Sequence, residues 1–215
     1  MRRMLVLVPL TAAVAAALAL SVNSAVASPS HAARQTVGRI VHPVHRNGTP
    51  VAGYTVHKQH IQGFSCTSVS PVAVDDGIAS CTPDAAYAVA CWKSTHHTVL
   101  CLRNPRKKVL ARIRYTGRFH AGRALYKPSP QALTLFGGTY CEIRDGGAWG
   151  QVKGHPHWYG DYSCNNGAAV YGPGRDGINS SHEPWRVHLV WFHRNGTQTI
   201  RTREIRLAYY VGTAN

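Results

Sequence analysis

The chain has 215 residues and a formal net charge of +15 at pH 7, from 24 Lys and Arg against 9 Asp and Glu. Its 44% hydrophobic content excludes a wholly disordered chain, and its 20 Gly and 12 Pro follow no collagen period. The charge results from a shortage of acids and not from an excess of bases. A net positive charge attracts polyanions (anionic envelope polymers, nucleic acid, acidic lipid) but does not select one of them.

The first 27 residues have the features of a secretory signal peptide. Arg2 and Arg3 form a basic start, Met4–Val22 is uncharged and mostly apolar, and Ala25–Ala27 fits the small-x-small cleavage pattern. The apolar run is also about long enough to be an uncleaved membrane anchor, but Pro9 and the cleavage pattern favour removal. We therefore predict a signal peptide at 1–27 and a secreted chain, extracellular or in the cell envelope, with no transmembrane segment after cleavage.

Residues 28–62 are polar and rich in His, and they predict a flexible basic arm ahead of one β-rich domain at 63–215. Thr36–Gln59 has a second interpretation as a weak hairpin around Asn47-Gly48. That dipeptide suits the positive φ angles of a type I′ turn. The sequence leaves both interpretations open.

From Cys66 onward the pattern indicates short strands separated by Gly and Pro turns. Tyr87–Arg103 predicts a hairpin whose polar tip centres on His96, and Ala132–Arg144 predicts a strand pair broken at Gly137-Gly138. Two further segments alternate between apolar and other residues at the period of a strand, Lys108–His120 and Arg186–Arg194. The second of these turns at Asn195-Gly196 and returns over Thr197–Val211.

No segment outside the signal shows a sustained helical period. The sequence therefore predicts an all-β fold, a disulfide-stabilised sandwich or barrel-like domain of short antiparallel strands.

Six cysteines in an exported chain predict three disulfides. The alternative, free or metal-binding thiols, is disfavoured because no Cys-x-x-Cys pair occurs. A hairpin centred on His96 places Cys91 opposite Cys101, where two facing cysteines can bond. Cys66 with Cys81 and Cys141 with Cys164 then follow as neighbours in sequence, although six cysteines allow 15 arrangements.

Five segments around these cysteines carry a resemblance: Asp76–Cys81, Ala90–Trp92, Leu100–Pro105, Cys141–Gly150 and Tyr162–Cys164. They resemble segments of small exported disulfide-containing proteins of mycobacteria and related actinobacteria. The resemblance implies export and disulfides, but no activity, since that group has no assigned function. Gly154–His157 departs from the pattern and has the character of a loop specific to this chain.

The chain contains 13 His, which raises the question of a metal site. The close pairs are His155-x-His157, His42-x-x-His45, His57-x-x-His60 and His96-His97. A closed zinc site needs three or four convergent ligands, and no His-Glu-x-x-His or comparable signature occurs. We predict no metal and no cofactor, with the histidines adding surface charge in mildly acidic surroundings.

Catalytic signatures are also weak. Asp75, Asp76, Asp145 and Asp176 lie at glycine-containing turns, where Asp is an ordinary turn residue, and no Gly-x-Ser-x-Gly elbow occurs. The alternative function is a small secreted hydrolase that uses His with Glu or Asp, with unassigned catalytic residues. Trp149, Trp158 and Tyr159 flank glycines as sugar-stacking aromatics do, although aromatic residues more often anchor cores and loops.

Two pairs of arginines suggest an anion-binding surface. Arg112 and Arg114 share one strand face, and Arg201 and Arg203 share another. If these strands are neighbours, four guanidiniums form a flat cationic patch with Arg106–Lys108 at its edge, suited to phosphate and carboxylate groups. The alternative is a solvated face that keeps the protein soluble.

No nucleic-acid module signature occurs, so nucleic acid is one of several candidate anions. We predict a monomeric, secreted basic β-domain that binds an anionic envelope or extracellular component.

Overall fold

A computed structural model describes residues 34–83, 88–144 and 149–215. These ranges contain strands and turns but no helix, which confirms the all-β prediction. No helix within these ranges could span a membrane. The predicted signal peptide at 1–27 lies outside the described residues.

The strands of the described chain form two sheets. In chain order they are β1 (Val37–Val41), β2 (Thr55–Gln59), β3 (Ser65–Val69), β4 (Ile78–Thr82), β5 (Cys91–Lys93), β6 (Thr98–Asn104), β7 (Val109–Arg114), β8 (Ala132–Leu135), β9 (Tyr140–Ile143), β10 (Trp158–Cys164), β11 (Ala169–Pro173), β12 (Ile178–Asn179), β13 (Arg186–Phe192) and β14 (Gln198–Val211).

The first sheet closes into an antiparallel barrel in the order β14, β8, β9, β10, β11, β13 and back to β14. Closure depends on β14, because its first half pairs with β13 and its second half pairs with β8. β1 adds in parallel to β14, and β12 adds to β13. Buried side chains such as Leu135, Tyr162, Val170 and Ile205 fill the interior, so the barrel encloses a packed core.

The second sheet has the order β2, β7, β6, β5, β4, β3. After β7 the chain returns to β3, where the Thr116 N–H donates to the Phe64 carbonyl at 2.7 Å. One face packs a core that contains Ile113, and the opposite face packs a core that contains Leu100 and Leu110. The alternation predicted for 108–120 is therefore confirmed over β7, although the strand ends at Arg114 and not at His120.

The end of β14 joins the two sheets. Val211 lies in the same core as Leu100, and the Val74 N–H donates to the Val211 carbonyl at 2.9 Å. Beyond the strand, the Thr213 N–H donates to Asp75 Oδ2 at 2.7 Å, and Thr213 Oγ1 accepts the Trp92 indole N–H at 3.0 Å. The C-terminal residues therefore tie the barrel to the second sheet.

All three predicted disulfides are confirmed, and no cysteine is free. Cys91 lies directly opposite Cys101 on β5 and β6, and Cys141 lies opposite Cys164 on β9 and β10. The bond between Cys66 and Cys81 joins β3 to β4. Each bond therefore cross-links two neighbouring strands of one sheet.

The structure differs from both interpretations of the segment 28–62. Its described part, from Arg34 onward, contains β1 and β2, which do not pair with each other as a hairpin and do not form a free arm. Each pairs in parallel with the last strand of a different sheet, β1 with β14 and β2 with β7. Most of their side chains are exposed, so backbone hydrogen bonds hold them and the hydrophobic pattern gives no strand signal.

The pentapeptide His-Arg-Asn-Gly-Thr occurs at 45–49 and 193–197 and forms the same turn twice. In each copy the His N–H donates to the Thr carbonyl, and the Asn Oδ1 accepts from the Thr N–H and hydroxyl. Gly48 and Gly196 have φ of 78° and 77°, whereas the preceding asparagines do not have positive φ. The prediction of a type I′ turn at Asn47-Gly48 is therefore wrong, because that turn needs positive φ at both residues.

The two glycines provide a matched test of how the first turn packs. Both positions force an L-residue into the left-handed region, which costs about 1–2 kcal/mol. A Cβ at Gly48 would also collide with the Lys93 carbonyl and lie 2.9 Å from Ser94 Cα, whereas a Cβ at Gly196 meets nothing within 4 Å.

We predict that Gly196→Ala lowers the free energy of unfolding by about 1 kcal/mol and Gly48→Ala by about 3 kcal/mol or more. Urea denaturation of both variants and the parent measures the difference. Equal losses would contradict the close contact between the 45–49 turn and the end of β5.

Candidate functional site

The predicted arginines lie in two different sheets. Arg112 and Arg114 are on β7, whose neighbours are β2 and β6. Arg201 and Arg203 are on β14, where their register partners belong to β13. The two arginine-bearing strands are therefore not neighbours, and the condition for one four-arginine patch is not met.

Arg112 and Arg114 have a third cation beside them. Lys58 on β2 is the register partner of Arg112, so the two side chains leave the same face of the sheet side by side. Arg114 follows two residues later on that face, and both Lys58 and Arg114 are exposed. We call Lys58, Arg112 and Arg114 the basic face.

Hydrogen bonds orient the half-buried Arg112 within the basic face. Its Nη1 donates to Ser94 Oγ at 3.2 Å and to Thr98 Oγ1 at 3.4 Å. Because both contacts use Nη1, the Nε and Nη2 edge of the guanidinium is left for an oxyanion.

Arg203 lies beside an acid. It lines an open cavity of about 620 Å³ together with Arg34, Arg186 and Glu204. Glu204 accepts ion pairs from Arg34 at 3.3 Å and from Arg186 at 3.9 Å, and these are the ion pairs that the described ranges contain. Arg203 therefore has an acid beside it, whereas Lys58, Arg112 and Arg114 take part in no ion pair within the described ranges.

Arg106–Lys108, expected at the patch edge, instead form the turn between β6 and β7. Arg106 and Lys107 line a cavity of about 580 Å³ with Tyr140 and Glu142, where the Arg106 guanidinium lies 4.8 Å from the centre of the Tyr140 ring. Burial raises the pKa of the Glu142 carboxyl. A hydrogen bond from Tyr140 and the charges of Lys107 and Arg103 act in the opposite direction and lower it, but by less.

The hydrolase alternative requires a histidine beside an acid of perturbed pKa. No histidine lines the cavity that holds Glu142. His45 shares another cavity, of about 520 Å³, with Asp75 and Asp76. Both acids there accept backbone N–H groups, from Thr213 at 2.7 Å and from Ala124 at 2.8 Å, so structural hydrogen bonds account for them.

Two of the three aromatic residues that flank glycines, Trp149 and Trp158, pack against other rings. Trp158 stacks between His155 and His188, with ring centres 3.8 Å and 4.6 Å away. Trp149 meets the Tyr171 ring edge-on at 5.9 Å. Tyr159, on β10 next to Trp158, is 62% exposed, so a sugar ring could reach it.

Three cysteine sulfurs come together at metal-ligand spacing. The Sγ atoms of Cys81, Cys91 and Cys101 all lie within 4.8 Å of one another. Each sulfur is held in a disulfide, so none is available as a thiolate ligand. The two disulfides pack together in the core of the second sheet.

One half-buried acid was not expected from the sequence. Asp161 follows Gly160 on β10, where the pairing with β11 shifts register, and such a bulge redirects a side chain. Its Oδ2 is buried and accepts no hydrogen bond among the described residues. Burial and then the charge of Asp176 raise the pKa of the Asp161 carboxyl to about 7.

Comparison of the chain with protein-family models, with curated proteins and with solved structures finds no match in any of the three.

The raised pKa of Asp161 makes stability depend on pH. Between its usual value near 3.8 and about 7 the folded state binds the extra proton, so stability falls as pH rises through this window. We predict that Asp161→Asn raises the melting temperature above pH 7 and that its advantage shrinks as the pH falls toward 4. Thermal denaturation across this range measures it, and a pH-independent difference would contradict the assignment.

Proposed function

We propose that the protein is a secreted anion-binding domain whose ligand is an anionic polymer of the cell envelope or the extracellular surroundings. The observation that supports this most directly is the pairing of Lys58 with Arg112 across neighbouring strands, with Arg114 beside them. Like charges placed directly opposite each other oppose folding. Residues that destabilise the fold are expected mainly at functional sites. Here a bound anion would supply the negative charge that offsets the repulsion between Lys58 and Arg112.

The geometry of Arg112 suits an oxyanion. A guanidinium binds phosphate, sulfate or carboxylate through two parallel N–H donors. Because Ser94 and Thr98 already hold Nη1, less side-chain freedom is lost when a ligand binds the other edge. Lys58 and Arg114 extend the contact across and along the strands, as a repeating polymer requires.

Two further observations favour this function. The net charge of +15 steers polyanions toward the protein. Three disulfides are typical of proteins in oxidising compartments, which supports the proposed export through a signal peptide at 1–27 and the proposed kinship with exported actinobacterial proteins.

A charge reversal at Lys58 separates binding from stability. We predict that Lys58→Glu lowers the salt concentration at which the protein elutes from heparin resin. The same change should keep or raise the melting temperature, by about 1–3 °C, because a carboxylate at this position faces Arg112. Loss of retention with retained stability cannot be attributed to unfolding.

Arg201→Glu is the matched control, since it makes the same change in net charge on the other sheet. It should reduce retention clearly less than Lys58→Glu. Equal reductions would show that retention follows bulk charge, and they would overturn the basic face as the binding site.

A further inference from the structure

A cavity of about 570 Å³ lies where the barrel meets β1. Its wall is mainly apolar and aromatic, and includes Ile40, Tyr126, Trp185 and Tyr210. Ile40 is 47% exposed and Tyr126 is 96% exposed, so part of this apolar surface remains open to solvent. The volume and the lining are typical of a site for a small organic molecule.

Asp176 supplies negative charge to this cavity. Its Oδ1 accepts the Ile178 N–H at 3.2 Å, and Asp176 takes part in neither of the ion pairs found in the described ranges. Its Oδ2 is therefore left for a ligand. Lys127 also lines the cavity, but it is exposed and forms no ion pair with Asp176 in the described chain.

A buried tyrosine of β10, next to Asp161 in the chain, bonds to the wall of this cavity. Tyr162, adjacent to Asp161, donates its hydroxyl to the carbonyl of Pro130 at 2.8 Å, and Pro130 lines the cavity. Burial raises the pKa of the Tyr162 hydroxyl, and the charges of Asp176 and Asp161 raise it further. Asp161 Oδ2 is buried without a hydrogen-bond donor, and neither acid takes part in an ion pair within the described ranges.

We propose that this cavity binds a small organic ammonium ion with a ring or apolar body, its ring against Trp185 and Tyr210 and its ammonium group at Asp176. Aromatic faces attract cations as well as rings, and Trp does so most strongly. The ammonium group offsets the charge of the Asp176 carboxylate and donates to its Oδ2, which has no other partner within the described ranges. The ligand is opposite in charge to the polymer proposed for the basic face, and the two sites are independent.

Phenethylamine is the probe, with 2-phenylethanol and phenylacetate as uncharged and anionic compounds of similar shape. We expect calorimetry on the full chain at neutral pH to show that the amine binds about tenfold more tightly than the alcohol, and that phenylacetate does not bind. Asp176→Asn should weaken amine binding about tenfold and leave alcohol binding unchanged. Asp76→Asn, which removes the same charge elsewhere, should leave amine binding unchanged.

Three results would overturn the site: no saturable binding of phenethylamine, equal affinity for amine and alcohol, or equal effects of Asp176→Asn and Asp76→Asn. If Asp176→Asn fails to fold by circular dichroism, Ile40→Arg provides the second variant. Ile40 is exposed at the cavity, so a guanidinium there leaves the core intact and repels the ammonium group. Unchanged amine affinity in Ile40→Arg would then overturn the proposal.

Discussion

The structure depends on the pairing of β14. This strand of 14 residues bonds to β13 along its first half and to β8 and β1 along its second half, and Val211 at its end bonds to the segment 72–74. Buried backbone groups must find hydrogen-bond partners. Because β14 bonds to three strands and to the segment 72–74, it sets the position of all four. Barrel closure, the attachment of β1 and the core shared by the two sheets all follow from that one strand.

Two cavities lie near the end of the same strand. Tyr210, near the end of β14, lines the cavity proposed for an ammonium ion, and Thr213, just beyond it, lines the cavity around Asp75. Sheet interiors are packed without such space, because alternating apolar residues fill them. The two cavities that hold Asp176 and Asp75 lie where strands end and loops meet, whereas the cavities that hold Glu142 and Glu204 are lined mainly by strand residues.

Most of the acids discussed above are half-buried or already paired. Asp75 accepts the Thr213 N–H, Glu204 pairs with two arginines, and Glu142 and Asp161 are buried enough that their pKa values are raised. None of these acids forms an ion pair with the basic face within the described ranges. The surface at Lys58 is therefore more basic than the overall composition indicates.

Much of the architecture was determined by the sequence itself. Alternation assigned each face of 108–120, and two cysteines at equal distance from the tip at His96 implied the bond between Cys91 and Cys101. These features are local, because side-chain period and turn length decide them within one hairpin. The arginine face of β7 was predictable for the same reason.

Only the tertiary structure decided which strands from distant parts of the chain are neighbours. Lys58 reaches Arg112 through a parallel pairing between segments about 50 residues apart, and Arg201 lies in the other sheet. Parallel pairing of an exposed edge strand relies on backbone hydrogen bonds that all residues share, so it has no side-chain signature. The redirection of Asp161 by a bulge is equally invisible in sequence, because an extra residue changes which face a side chain occupies without changing the residue.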